Sequence, residues 1–463
     1  MNPADTLADL WHHGGLPAQA LQHAVLTGSD PVFPSSFAVG TAAQTSIAAA
    51  ALAACELGHL RGQSRQQATV DMAPAALECT GWFSLDGKVP PLWDRFSGLY
   101  ACADGWVRIH TNFAHHRMGA LRLMGLAPDT ATRTEAEQAM RGWRAAEFEQ
   151  AAADAGLVVA MLRSFDAWDA HPQGQAVAAL PLMTFERMGD APPNPLPALG
   201  AQDRPLARPL SGLRVLDLTR ILAGPVCGRA LAAYGADVML VNAPHLPNID
   251  SIADTSRGKL SSHVDLRTAD GKATLAGLAS HSHVFVQGYR PGALASHGFG
   301  PQDLARLRPG IVCVSLSAYG HTGPWQARRG FDSLVQTAMG FNDAEAAAAG
   351  SAAPKPLPMQ ILDYATGHLM AFAASAALHR QAREGGSWHV RLSLAQTGQW
   401  LRSLGRVSDG FGVKPPDRRP FVESSASGFG ELLGLRHSAQ LFATPCRWVR
   451  PSVPPGASPP AWP

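Results

Sequence analysis

From residue 213 onward the sequence alternates β-type runs with helix-forming stretches, and this alternation limits the fold more than any other feature. "LRVLDLT" (213–219) is a compact strand pattern, followed by "AGPVCGRALAAYGA", a helix opening on Gly224-Pro225. "ADVMLVN" (236–242) predicts the next strand, "DGKATLAGLASHS" a helix and "HVFVQGY" (283–289) a strand. "PQDLARLRP" then predicts a helix and "GIVCVSLSAYG" (310–320) a strand. Strands and helices alternating at this spacing imply an α/β fold, a doubly wound parallel sheet of Rossmann-like type with helices on both faces. Ligands bind such sheets beyond the carboxyl ends of the strands.

Residues 190–210, "DAPPNPLPALGAQDRPLARPL", lack either periodicity and are crowded with proline, which reads as an extended linker. The expected division is a smaller α+β module over 1–189, the linker, the Rossmann-like domain over 211–405, and an irregular proline-rich tail over 406–463. In the first module, "LYACADGWVRIHTN" (99–112) reads as two strands around the turn Asp104-Gly105. Residues 132–156 place Met140, Trp143 and Phe148 near helical spacing amid charges, predicting one amphipathic helix. A weak internal repeat sets residues 49–82 beside 371–405, each an Ala-rich helix, a polar loop, a short strand and a second helix.

Composition narrows the function. Lysine plus arginine number 38 against 36 acids, interspersed, so no basic face advertises nucleic acid. The six cysteines show no CxxC pair, and the amino-terminal residues carry acids where a secretory leader would carry bases. The most apolar stretch, "SIAAAALAAC", is far shorter than a membrane span. A cytoplasmic enzyme, with neither nucleic acid nor membrane as partner, is the expectation.

The turn "TRILAGP" lacks GxGxxG and Asn242 stands where a nicotinamide site favours an acid, so that cofactor is not expected. "WHHGG", "AHHR" and "SHSH" do not pair with Cys, Asp or Glu at ligand spacing; no metal is expected, and these histidines read as surface or capping residues. No GxSxG elbow occurs. "QILDYATGHLMAF" (360–372) puts Asp363 at the start of a long run of helix formers. A lone Asp there is ordinarily an N-cap; the same carboxylate is also a possible nucleophile.

The ordered motifs decide between them. "LSGLRVLDLTRILAGPVCGRALAAYGADVMLV", "SRGKLSSHVDLRTADGK", "VFVQGYRPGALASHGFG", "VCVSLSAYGHTGPWQARRGFDSLVQTAMG" and "QILDYATGHL" follow one another over about 210–400. In that order they resemble the class III CoA-transferases, the family of formyl-CoA and carnitine CoA-transferases. Residues 40–190 resemble the later half of the same family, so late elements precede the sheet domain and the internal repeat is what such an order leaves behind.

The resemblance implies transfer of CoA from an acyl-CoA donor to a small carboxylic acid, with CoA thioesters as substrates and no tightly bound cofactor. It makes Asp363, with Gly367, the nucleophile of a D-x-x-x-G element, passing through an aspartyl-acyl anhydride and an aspartyl-CoA thioester. A helix N-terminus would favour the ionised carboxylate. The same resemblance assigns CoA contacts to Ile221, Leu222 and Ala223 after the first strand, and to Val264 and Arg267 in "HVDLR". Gly288, Tyr289 and Arg290 in "QGYRPG", with Arg329 before "GFD", complete the set. It also implies an interlocked homodimer, unless the fused module supplies what a partner subunit otherwise gives.

Two departures bear on activity. Asn242 replaces an acid common in the family, and no Asp lies between Asp30 and Asp71, so the first repeat has no nucleophile of its own. CoA-dependent racemases of the 2-methylacyl-CoA type belong to the same family and need two opposed acid/base groups, one a histidine in "GHD". Phe331 occupies that position and cannot accept a proton, which favours the transferase. A third reading is a CoA-binding protein without catalysis.

Overall fold

A computed structural model describes residues 2–199 and 207–463. Its centre is a seven-stranded sheet in the order Lys259–His263, Asp237–Asn242, Arg214–Leu218, Val284–Gln287, Val312–Ser317, Ser387–Ser393, Thr184–Gly189. The first six strands are parallel and the last antiparallel. The central strands carry buried apolar runs (Val284, Phe285 and Val286, for example), as a sheet covered on both faces requires. Chain order reverses between Arg214–Leu218 and Val284–Gln287, the switch point at which a ligand crevice opens. This is the doubly wound α/β fold that the alternation predicts.

The repeat is visible in the fold. Helices Val39–Leu60 and Ile361–Glu384 are followed by strands Ala68–Asp71 and Ser387–Ser393, then by helices Met72–Glu78 and Leu394–Ser403. The long helices start at Val39 and Ile361 and the short ones at Met72 and Leu394, so both copies keep one register. The two long helices are buried almost all round, pack on each other, and are rich in small buried residues such as Ala42, Ala50, Ala373 and Ala377.

Three sequence expectations need correction. The division at 189 cuts through a sheet, because Thr184–Gly189 pairs with Ser387–Ser393. Its partly exposed side chains suit an edge strand, and it covers a strand whose polar backbone would otherwise stand open. Helix Val39–Leu60 also shares the sheet domain's core, whereas Phe96, Tyr100, Ile109, Met140 and Phe148 form a separate small core. The tail is not wholly irregular: Val422–Ser427, Gly430–Leu435 and Ala439–Leu441 are strands, the last two pairing with Phe83–Leu85 and Ala68–Asp71. Beyond Leu441 no regular element follows. The helix expected over 132–156 is two, Arg133–Met140 and Ala145–Asp154, the second starting where Asp104 Oδ1 accepts the Ala145 N–H (2.8 Å).

Residues 190–199 form no regular element, and the Leu199 N–H donates to the Arg61 carbonyl (3.0 Å). Of the remaining expected linker, 200–206 lie outside the described residues and 207–210 are buried without forming a helix or strand. Among the described residues no helix is long and apolar enough to cross a membrane.

Candidate active site

Asp363 is the third residue of the Ile361–Glu384 helix, whose N-cap is Gln360. The side chain is therefore inside the first turn, and the N-cap reading does not describe it. It is 7% exposed and opens on a cavity of about 180 Å³. Two helix N-termini converge there, its own and that of Ala223–Ala233, whose Ala223 N–H favours the ionised carboxylate. Gly367 explains the glycine of D-x-x-x-G: a Cβ at this position would stand 2.5 Å from the Ala223 carbonyl oxygen and 2.7 Å from Val226 Cβ. The bare glycine thus lets the second helix approach closely enough to aim Ala223 at Asp363.

Asp332 sits beside Asp363. Its carboxylate accepts the Asp363 backbone N–H (2.9 Å) and a donor from Gln336 Nε2. Burial, and then the Asp332 charge, push the Asp363 carboxyl well above the usual carboxylate range. Burial pushes Asp332 up as well. The expected effect of the helix terminus is present but is outweighed by desolvation, which corrects the sequence reading.

The approach to this cavity is strained. Ile221 has φ +77°, in the left-handed region that β-branched residues avoid. It lines both the Asp363 cavity and a second one of about 380 Å³, and Phe331 also borders both. Below the loop, Asp217 and Lys259 form a fully buried ion pair (2.8 Å), and Lys259 Nζ also donates to the Pro225 carbonyl (2.8 Å). This ties the first strand to the start of the Ala223–Ala233 helix and fixes the turn between them.

The second cavity lies at the sheet's switch point and is strongly basic. Arg220, Arg290, Arg328 and Arg329 line it together with His115 and His116. Arg328 is committed to Glu149 (3.6 Å), whereas Arg329 Nη1 donates to the Gly156 carbonyl (2.8 Å) and Arg220 to that of Pro247. Guanidinium groups gathered in a crevice suit a polyphosphate anion. A third cavity, about 170 Å³, shares Leu246, Tyr289 and Ala293 with the second. Sharing lining residues in turn, the three make a groove running from Asp363 across the switch point toward the end of strand Lys259–His263.

The expected contacts fall along this groove unevenly. Ile221 and Leu222 line the Asp363 cavity, while Ala223 is buried behind it and offers only its backbone. Gly288, Tyr289, Arg290 and Arg329 line the second cavity. Val264 and Arg267 line the third, remote from Asp363. Arg267 is already held by Asp265 (2.6 and 2.9 Å), so its fork is not free as expected. Asn242 is buried with both side-chain polar atoms unpartnered.

Sequence reading missed several residues. Asp332 and Arg220 were visible in "GFD" and "TRILAGP" as polar groups beside the named ones. His110 gave no local signal: it comes from the small module and lines the Asp363 cavity with Trp93, Asn112, Thr80 and Gly81. His116, in "AHHR", is buried and not the surface or capping residue expected, and His110 is buried as well.

Residues 210–406 match CoA-transferase family III. An acyl-CoA transferase of Gibberella moniliformis is 30% identical over 383 residues, covering 73% of this chain and 66% of that protein. A probable fatty acyl-CoA transferase of Mycobacterium tuberculosis, Rv3272, is 36% identical over 222 residues, 44% of this chain and 56% of that one. The orthorhombic crystal structure of Rv3272 aligns at 35% identity over 42% of this chain and 56% of that chain, with a TM-score of 0.40. The chain thus spans no more than about two thirds of these relatives, 66% of the first and 56% of the second. With the motifs in family order on the sheet, and Asp363 and Gly367 at the helix crossing, the chain belongs through residues 210–406 to CoA-transferase family III.

Proposed function

We propose that the protein moves CoA from an acyl-CoA thioester to a free carboxylate, with Asp363 as nucleophile and CoA lying along the groove. One observation carries this reading: a buried carboxylate faces a small cavity that joins an arginine-lined crevice at the switch point of the sheet. Arg220, Arg290 and Arg329 would take the phosphates, and the third cavity, bordered by Val264 and Tyr289, the base. The thioester then reaches Asp363 past Ile221 and Phe331.

In the first step an Asp363 oxygen attacks the thioester carbonyl. The tetrahedral oxyanion collapses, the C–S bond breaks, and a mixed anhydride and CoA thiolate result. The thiolate attacks the aspartyl carbonyl, releasing the donor acid and leaving an aspartyl-CoA thioester. An acceptor carboxylate repeats these steps in reverse, so the thioester energy is conserved. Burial raises the energy of the ionised nucleophile, and the Ala223 N–H offsets part of that cost.

The test is mass spectrometry of the protein after incubation with mixed acyl-CoA thioesters and hydroxylamine. A hydroxamate on the Asp363 peptide, absent from Asp363→Ala, is expected. CoA binding with no modification would overturn the covalent route and leave a non-catalytic CoA-binding protein.

One observation favours a racemase as second reading. His110 stacks on Phe331 at a centroid distance of 4.0 Å, bringing an imidazole to the place where the racemase motif carries one. Incorporation of solvent deuterium at the α-carbon of a 2-methylacyl-CoA separates the two, since the transferase leaves that proton in place.

A further inference from the structure

His110 follows the strand Trp106–Ile109 of the small module, and its backbone N–H donates to the Val158 carbonyl (3.2 Å). The ring lies nearly parallel to Phe331 (18°) with Trp93 edge-on at 5.8 Å. It is 5% exposed, lines the Asp363 cavity, and its Nδ1 has no hydrogen-bond partner. A buried polar nitrogen left unpaired costs stability, and a fold retains one where a ligand completes it. Phe331 and Trp93 hold the ring by its faces and edge and make no use of its nitrogens.

We infer that His110 is a catalytic residue supplied by the small module, donating a hydrogen bond to the carbonyl oxygen of the acyl group while Asp363 attacks it. This rests on the transferase reading. When the C–O bond to Asp363 forms, the thioester π-electrons move to oxygen and the His110 N–H meets the charge developing there. The donor keeps its proton; the electrons return as the C–S bond breaks and CoA thiolate leaves.

Charge state fits that role. Burial, with His116 and Arg108 nearby, drives the imidazole down to about 3, so it is neutral across physiological pH. A neutral imidazole has one N–H to donate and is a poor base, which argues against its removing an α-proton. Placement matters too. The nucleophile and the donor come from residues 363 and 110, so the small module and the sheet domain must stay docked for the site to be complete.

Two substitutions separate donation from packing. His110→Phe keeps a flat ring against Phe331 but has no donor, and His110→Asn keeps a neutral donor but loses the stack. The measurement is the single-turnover rate of Asp363 hydroxamate formation, with CoA affinity read in parallel. Loss of one oxyanion donor predicts a fall of about 100-fold in His110→Phe, with CoA affinity unchanged and most of the rate kept in His110→Asn. A His110→Phe rate equal to the unsubstituted protein, or loss of CoA binding in both variants, would overturn the inference and make the ring a packing element. An unsubstituted protein that binds CoA yet forms no hydroxamate would overturn the transferase reading and this inference with it.

Discussion

The two long helices of the repeat differ in charge at their third residue, Thr41 in one and Asp363 in the other. Both receive an aspartate from upstream. Asp30 accepts the N–H groups of Gly40 (3.1 Å) and Thr41 (2.8 Å) and the Thr41 hydroxyl (2.7 Å). Asp332 accepts the N–H of Asp363 (2.9 Å) but meets a second carboxylate where Asp30 meets a hydroxyl. One junction is thus satisfied by donors; the other holds two acids in a space that favours neither charge. The same scaffold carries a satisfied joint in one copy and an unsatisfied acid pair in the other according to one side chain, and the unsatisfied pair lies where chemistry is proposed.

Making the first copy resemble the second is the severest way to break this contrast. Thr41 is 3% exposed and lines none of the three cavities of the groove. Thr41→Asp would bury a carboxylate against Asp30 and remove the hydroxyl donor, at a cost of about 3–5 kcal/mol near neutral pH. The sign with pH is definite. A carboxyl whose folded pKa is raised binds more protons when folded, so the deficit shrinks as pH falls toward its unfolded value. Urea unfolding at pH 8 and pH 5 measures it; equal midpoints for variant and parent would mean the first junction admits water and the comparison fails.

How much of this was legible differs along the chain for physical reasons. The sheet could be read because its strands are buried on both faces and write continuous apolar runs such as "VFV". Strand Val422–Ser427 was hidden because "VESSAS" is a mostly exposed edge with no hydrophobic pattern to display. Asp363 and Gly367 lie one helical turn apart on one element, so their relation survives in sequence. His110 and Phe331 are joined only by folding, and neither "RIHTN" nor "GFD" carries a trace of their stack. The helix-terminus argument for Asp363 had the right interaction and the wrong balance, since burial is not visible from one segment.

A gentler break uses the next turn. Thr45 in the first copy occupies the place of Gly367, and its hydroxyl donates back to the Thr41 carbonyl (2.8 Å). Gly367→Ala drives a Cβ into the backbone oxygen of Ala223, which a side-chain rotation cannot relieve. Overpacking of this kind costs about 1–3 kcal/mol, and displacement of the Ala223 N–H would also slow Asp363 labelling. Thr45→Ala removes only a local hydroxyl bond and is expected to cost under about 1 kcal/mol. Thermal unfolding of the pair ranks them; a reversed order would show that the helix crossing at Gly367 is loose.

The last effect is the most telling, because it is a gain. In Asp363→Asn one of the two buried acids becomes a neutral amide able to donate to Asp332, so the group that burial and the Asp332 charge raise is no longer an acid. With Asp363 raised, the folded state binds more protons than the unfolded chain between the unfolded carboxylate pKa and the folded one. Stability is therefore lost as pH rises through that window, and each raised unit amounts to about 1.4 kcal/mol. Asp363→Asn is expected to gain on the order of 1 kcal/mol at pH 8 and little at pH 4, while losing all hydroxamate formation. Unfolding midpoints of variant and parent across that range test it. A gain independent of pH would trace to amide packing, and no gain would mean Asp363 is already as well satisfied as Thr41, which would remove the reason to regard the second junction as the reactive one.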